Sequence, residues 1–537
     1  MTGDEADVVV IGAGHNALVA AAYLAKAGLS VMVLEARPVI GGGTVTEELA
    51  TPGFRHDTFS SGHPWLLTNP IFRKDELNLF RNGLSYVGND PVLVVPFSDG
   101  ESITVWRDKG RTAAEIARFS KRDAEAWLGL FDEWSALAPR HLARIVHAPG
   151  EASAGQDPAA EARYAALVEK SCWDAVHERF ESDHVRAVLL WFGMVAVQPI
   201  DRAGTGLLSV LVPVTWSEFG WLNVVGGSSR LAERLAEVVT AHGGRIVTNA
   251  RVSRIPVEGD RASGAQTENG RFFRARRAVV SSMHFTALPK VVSAALPVPF
   301  VAGTKAWRSG PALFVVYLSV PANYKVRIRE GSIAAVLAGH STVNGVGQQL
   351  RNVIEERLTL SEPWLFAACS TWIDPSRAPD GRGTVKLITY APYALDGDPA
   401  NWDAAKTEYA DFLVERYAKL AVGFEPGDDL GRHVNSPLDI ERTNPSYHRG
   451  AAQGGEMTPE QMGLNRPVTG WANYRMPIAG LYQTGTSTHP GGPVSGWPGR
   501  HAARAVLEDL QIDWRKTMEG SRASTPVEVP IVDTSPL

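Results

Sequence analysis

Asp7-Val-Val-Val-Ile-Gly-Ala-Gly-His-Asn-Ala17 is the stretch that decides how this chain of 537 residues is read. Residues 7 to 11 make an apolar run closed by glycine, as a buried parallel strand does. The Gly-rich turn then opens a segment rich in alanine and leucine, roughly Asn16 to Ala27, which is predicted to be a helix capped by Gly28. Ser30 to Leu34 reads as a second strand, and the three elements together form one β-α-β unit. Within it, Gly12-Ala13-Gly14-His15-Asn16-Ala17 fits GxGxxG/A. Gly12 permits the tight turn, Gly14 lets backbone approach a pyrophosphate, and Ala17 lets the helix pack close to the strand. Free N–H groups and the positive helix end then face the phosphates. Glu35 closes the second strand, where an acid bonds a ribose hydroxyl and disfavours a 2′-phosphate.

The next residues separate the dinucleotides. Ala36-Arg37-Pro38-Val39-Ile40-Gly41-Gly42-Gly43 carries a further diglycine just after the acid. A nicotinamide enzyme needs nothing special there, whereas FAD enzymes of the amine oxidase and desaturase type bring backbone past the cofactor at that point. Many of them have arginine after the diglycine. Gly43 stands there instead, which removes one phosphate or flavin contact.

Two later glycine-rich islands extend the pattern. Gly226-Gly227-Ser228-Ser229 runs into an amphipathic helix, Arg230 to Ala241, ended by Gly243-Gly244. Strand-like pieces follow at Arg245 to Val247, Ala250 to Ile255 and Ala278 to Ser281, with turns at Glu258-Gly259-Asp260 and Asn269-Gly270. The last island, Gly480 to Gly499, precedes a helix from about Arg500 to Leu510. The long segments between carry most of the fifteen tryptophans and no phosphate loop. The fold expected is α/β: a Rossmann-type FAD-binding domain of the amine oxidase and desaturase type, with an inserted α+β substrate domain. The FAD-binding parts are 1–75, 226–290 and 436–515, the substrate parts 76–225 and 291–435. The tail 516–537, rich in Pro, Ser, Thr and Glu, is expected to be flexible or extended.

Composition narrows the classes. With 44% hydrophobic and 21% charged residues and a net charge of −5, the chain is globular and has no basic footprint for nucleic acid. Its two cysteines, Cys172 and Cys369, form no CxxC pair, so no disulfide framework, zinc ribbon or dithiol centre is expected, and no metal. An acidic N-terminus and the lack of any ~20-residue apolar run point to the cytoplasm, with peripheral membrane contact left open. GxSxG, HExxH and GxxxxGK[ST] are all missing.

With those motifs in place, the chain resembles the phytoene desaturase-like FAD-dependent oxidoreductases, within them the carotene ketolase and mitochondrial desaturase-like branch. The resemblance rests on the N-terminal block, on VPFSDGESITVWRDKGRTAAEIARFS (Val95 to Ser120), on Gly226 to Met283, and on GLYQTGTSTHPGGPVSGWPGRHAARAVL, Gly480 to Leu507. It implies that Gly485 and the diglycine Gly491-Gly492 pass beside the flavin, that Val494, Ser495 and the helix start offer N–H groups to the pyrimidine end, and that Val252 touches the adenine side. Hydride would pass from an apolar or aromatic substrate to FAD, with a double bond left behind and oxygen or a quinone as final acceptor. A flavin oxidase of amines or alcohols, ketolase-type oxygenation, a redox-neutral isomerase and a non-catalytic FAD protein are the alternatives, and an oligomer is left open.

Candidate catalytic groups are His63, in SGHPWLL, and His489, in the flavin block, because histidine titrates near neutral pH. A histidine that only bonds backbone is the plainer reading of each. Tyr447, His448, Tyr474 and Arg475 lead into the flavin block and are expected to line the cavity. Trp65, Trp191, Trp216, Trp221, Trp471 and Trp497 suit an apolar pocket or an ordinary core. The run Gly206 to Pro213 reads as a tunnel wall, a membrane contact or a buried helix or strand.

Overall fold

Parallel strands rich in valine and alanine make the centre of the first layer. In the computed structural model, which describes residues 3–151, 157–326, 335–339, 341–519 and 531–532, Glu5–Ile11 runs parallel to Val31–Leu34 on one side and to Phe272–Ser281 on the other. Val8 stands opposite both Val31 and Ala278, and Arg245–Val247 adds a parallel edge beside Val31–Leu34. The long strand Phe272–Ser281 forks. Its first residues pair antiparallel with Gly264–Thr267, which leads to Val252–Arg254, and its last residues pair parallel with Leu481–Gln483. Three distant stretches of chain therefore build one seven-stranded sheet.

The first helix, His15–Lys26, is buried from His15 through Ala25. A helix apolar on all sides needs neighbours on all sides, and it packs against helices Ser229–Ala241 and Trp497–Asp509. A methyl group at Gly499 would overlap the carbonyl of Asn16, so glycine is what permits the approach. Helix Trp497–Asp509 starts earlier than the expected Arg500 because Pro498 sits in its first turn, where a fixed φ and a missing N–H cost nothing.

A second seven-stranded sheet runs Gly431–Asn435, Ala312–Val320, Gly383–Ala391, Phe366–Ala368, Val336–Ala338, Leu93–Pro96 and Ser102–Val105. It is antiparallel except between Val336–Ala338 and Leu93–Pro96. Helices Lys121–Val146, Asp183–Val195 and Leu208–Phe219 share one core with it, containing Trp127, Trp191, Trp216, Trp364 and Phe366. The apolar run at 206–213 thus enters a buried helix.

The tail differs from expectation at its start. Residue 516 lies inside a helix, Trp514–Glu519, because Ile512, Trp514 and Met518 pack on the core around the first helix. Ile531–Val532 pairs in parallel with Tyr86–Val87, whose other side pairs with Asn223–Val224, and the rest of the tail lies outside the described residues. Both cysteines are buried and unpaired. Among the described residues no helix is long and apolar enough to cross a membrane.

Candidate active site

At the dinucleotide end, Gly12 takes φ +91° and donates its N–H to the Leu34 carbonyl at 2.7 Å. The Glu35 carboxylate accepts from Ala13 N–H at 2.7 Å and from Arg37 N–H at 2.8 Å. The acid therefore locks the Gly-rich turn, and each of its oxygens keeps a lone pair for a ribose hydroxyl. Gly41 (φ +120°) and Gly42 (φ +58°) fold against that turn. Gly41 N–H donates to the Ala13 carbonyl at 2.8 Å, and a methyl group on Gly42 would stand 2.8 Å from the Gly14 Cα. Ala17 is wholly buried under the turn, and Ala36 sits between the acid and Arg37. Val252 is buried on its strand, and the nearby Ala250 N–H bonds the Glu35 carbonyl at 2.8 Å.

This cradle fits an anionic dinucleotide. Gly14 caps the first helix without a side chain. Both ring nitrogens of His15, Oδ1 of Asn16 and Nη1 of Arg37 are buried and have no hydrogen-bond partner. Native interiors rarely leave such groups unpaired, and a helix N-terminus with free N–H groups attracts phosphate.

A cavity of about 620 Å³ lies between this cradle and the second sheet. His15, His489, Gly492, Val494 and Ser495 line one side. Trp65, Trp216, Trp221, Trp364, Phe366 and Ile388 line others, and the Leu207–Thr215 helix face closes part of the wall. Gly485, at φ +99°, turns the closing block beside Ser282.

The expected catalytic residues divide. His489 and Tyr447 line the cavity. Burial lowers His489 to about 4, against the backbone of Arg144 and His147, which favours the charged ring, so the ring is neutral. His63 does not reach the cavity: it is fully buried behind Gly62 and Pro64, 3.4 Å from Ser228 Oγ, with burial lowering it to about 4. Tyr474 is also behind the wall, its hydroxyl donating to the His489 carbonyl at 3.0 Å and its ring stacked on His501. His448 bonds Ser309 Oγ at 2.7 Å, and Arg475 pairs with Asp509 at 2.8 Å, so neither lines the cavity. Of the tryptophans singled out, Trp191 supports Phe366 from behind at 5.6 Å, Trp471 packs on Phe300, and Trp497 is fully buried at the start of helix Trp497–Asp509.

Several charged groups near the cavity carry no sequence signal. Arg377, 1% exposed, bridges Asp57 at 2.7 Å and Asp374 at 2.9 Å. Burial pushes Asp57 up, but Arg377, the Thr46 hydroxyl and the Ser228 N–H outweigh it and hold the carboxyl at about 2. Lys386 Nζ, on a strand of the second sheet, donates to the carbonyls of Asp57 (2.9 Å) and Phe59, and burial lowers it to about 8. Arg377, Asp374 and Lys386 thereby clamp the 57–60 loop, next to the cofactor cradle, onto the second sheet. Arg466, fully buried and lowered by burial to about 9, donates to the carbonyls of Glu456 (3.0 Å) and Thr486 (2.7 Å) and ties the closing block to the 453–466 segment.

Residues 18–507 match the family described as flavin containing amine oxidoreductase. The chain belongs to that family. It is an FAD-dependent oxidoreductase of phytoene desaturase-like type. This flavoenzyme is 28% identical to a polypeptide of the limonene dehydrogenase of Castellaniella defragrans, over 95% of its own length and 96% of the relative's. It is 27% identical to the lycopene-forming phytoene desaturase of Pantoea ananas, covering 93% of this chain and 99% of that one. In fold it matches cyclohexylamine oxidase from Brevibacterium oxydans with a TM-score of 0.58 at 20% identity, over 95% of this chain and 100% of the other.

Proposed function

We propose that this flavoenzyme dehydrogenates a carbon–carbon bond of an apolar organic molecule, which loses a hydride and a proton from neighbouring carbons, and that the electrons pass on to oxygen or a quinone. FAD, when bound, supplies the hydride acceptor. The residues that would hold it are Gly12, Gly14, Ala17, Glu35, Ala36, Arg37, Gly41, Gly42, Gly43 and Val252, with Gly485, Gly492, Val494 and Ser495 at the ring end.

The observation that carries the reading is the character of the cavity that the flavin block and the second sheet share. Its walls are aromatic and aliphatic, and no carboxylate is among the described residues lining it, whereas Lys386 and Arg144 are. A protonated amine would be buried there with no counter-charge, at a cost of several kcal/mol. That favours an uncharged substrate over the amine oxidase alternative. Apolar walls orient such a molecule and exclude water. His489, neutral and on the cavity wall, is the group we assign to take up the proton at a ring nitrogen, with Tyr474 fixing it through its carbonyl. Leu464, 60% exposed, stands on the cavity lining near Pro149 and Gly150 and suits entry from a lipid surface.

The test is anaerobic titration of the purified holoenzyme with matched hydrocarbons, alcohols, ketones and amines while the flavin absorption is followed. Bleaching by uncharged members, with the dehydrogenated product found by mass spectrometry, is the expected result. Bleaching by amines alone, or by no member, sinks the reading.

A further inference from the structure

Tyr447 stands at the junction of cradle and cavity. Its ring is held by Phe59, 4.6 Å away at 33°, and by Val315, Tyr317 and Ile440, and only 8% of the residue is exposed. Among the described residues its hydroxyl makes no hydrogen bond, although it lines the cavity. Several polar groups on that wall are already engaged, although Gln453 Oε1 on the same lining has no partner. Lys386 donates to the carbonyls of Asp57 and Phe59, Tyr317 donates to that of Thr58, and the Thr58 hydroxyl donates to Glu47. The hydroxyl is not enclosed by protein and opens on the cavity, where a ligand can complete it.

Gly43 makes room for this hydroxyl. A methyl group at position 43 would overlap the Tyr447 oxygen, and no other atom is within contact of it except the phenol carbon at 3.5 Å. Unlike Gly41 and Gly42, Gly43 does not adopt a left-handed conformation, so the backbone does not require glycine there. What requires it is space for the phenol.

We propose that Tyr447 donates a hydrogen bond to an oxygen atom of the substrate, and that Gly43 sets this specificity by seating the phenol. The inference rests on the cavity being the substrate site and narrows the substrate class to apolar molecules that carry one ketone, ether or hydroxyl oxygen. Burial raises the Tyr447 phenol above its ordinary range, which keeps it a donor at all working pH values. Discrimination of this kind is strong in enclosed sites, because the analogue lacking the oxygen leaves the donor unpaired.

Binding titrations of the holoenzyme with the pairs limonene and carvone, and cyclohexane and cyclohexanone, test it through the perturbation of flavin absorption. The wild type should hold each ketone about tenfold more tightly than its hydrocarbon. Tyr447→Phe, which keeps the ring, should abolish the preference and leave hydrocarbon affinity within about twofold. Gly43→Ala should also abolish it, and because Gly43 is among the residues that would hold FAD, cofactor retention is measured alongside to separate displacement of the phenol from loss of FAD. If Gly43→Ala fails to fold, Tyr447→Phe carries the test. The proposal is overturned if no ketone is preferred by the wild type, if Tyr447→Phe keeps the preference, or if Tyr447→Phe without ligand shifts the flavin spectrum or FAD affinity, which would make Tyr447 a cofactor contact. Binding is read without turnover, so failure of dehydrogenation is seen separately.

Discussion

The glycine-rich cradle and the apolar cavity are built in opposite ways. The cradle uses backbone: three left-handed glycines, a bare helix N-terminus, and an acid that bonds two N–H groups within its own loop. The cavity uses side chains from distant segments, with Trp65, Trp216, Trp364 and Tyr447 brought together from four parts of the chain. Between them lies a buried charge cluster in which Arg377 and Lys386 of the second sheet's region hold Asp57 and the loop after it. A surface common to all FAD enzymes can be read by backbone, while a variable substrate needs variable side chains.

The largest expected effect breaks the link between the two regions. Arg377→Met leaves Asp57 and Asp374 buried without their cation and should lower unfolding free energy by about 3–5 kcal/mol in denaturant titrations. A loss under about 1 kcal/mol would show that the cluster does not hold the regions together. The pH dependence has a definite sign. Asp57 is held at about 2, below its ordinary 3.8, so its contribution is present above pH 4 or so and is lost as pH falls toward 2.

Gly42→Ala tests the backbone side alone. It forces a side chain into a left-handed residue and against Gly14, so FAD affinity should fall about 100-fold, read by cofactor retention on dilution. Retention at wild-type level would mean that the two glycine loops tolerate separation. On the cavity side, cyclohexylamine near neutral pH should reduce the flavin at least about tenfold more slowly than an uncharged substrate, for want of a carboxylate. Comparable rates would return the amine oxidase reading to first place.

The smallest effect sharpens the assignment of His489. Burial holds it at about 4, so the histidine is neutral at higher pH and kcat/KM should show no histidine ionisation between about pH 6 and 8. His489→Gln should lower kcat by about tenfold or more without moving the profile in that range. An inflection near 6.5 that disappears in His489→Gln would contradict the burial argument.

His63 and Tyr474 show where reading the chain stopped. Both lie close in sequence to cofactor loops, yet each side chain turns into the protein, one toward Ser228 and the other toward the His489 carbonyl. Proximity along the chain does not set which face of a loop a side chain occupies. Arg377, Lys386 and Arg466 were invisible for a related reason: nothing local distinguishes a buried cation from a surface one until its carbonyl and carboxylate partners are in place.

The sequence by itself determined the β-α-β unit, the acid at Glu35, the second diglycine and the closing glycine-rich block. Each of these is a local demand for a missing side chain or a periodic apolar run, and such demands are written in consecutive residues. Only the tertiary structure decided that a sheet is assembled from residues near 10, 275 and 482, that Gly43 is small because Tyr447 points at it, and that the cavity contains no carboxylate among its described lining. Those are relations between residues hundreds of positions apart, and packing brings them together without leaving a pattern at either end.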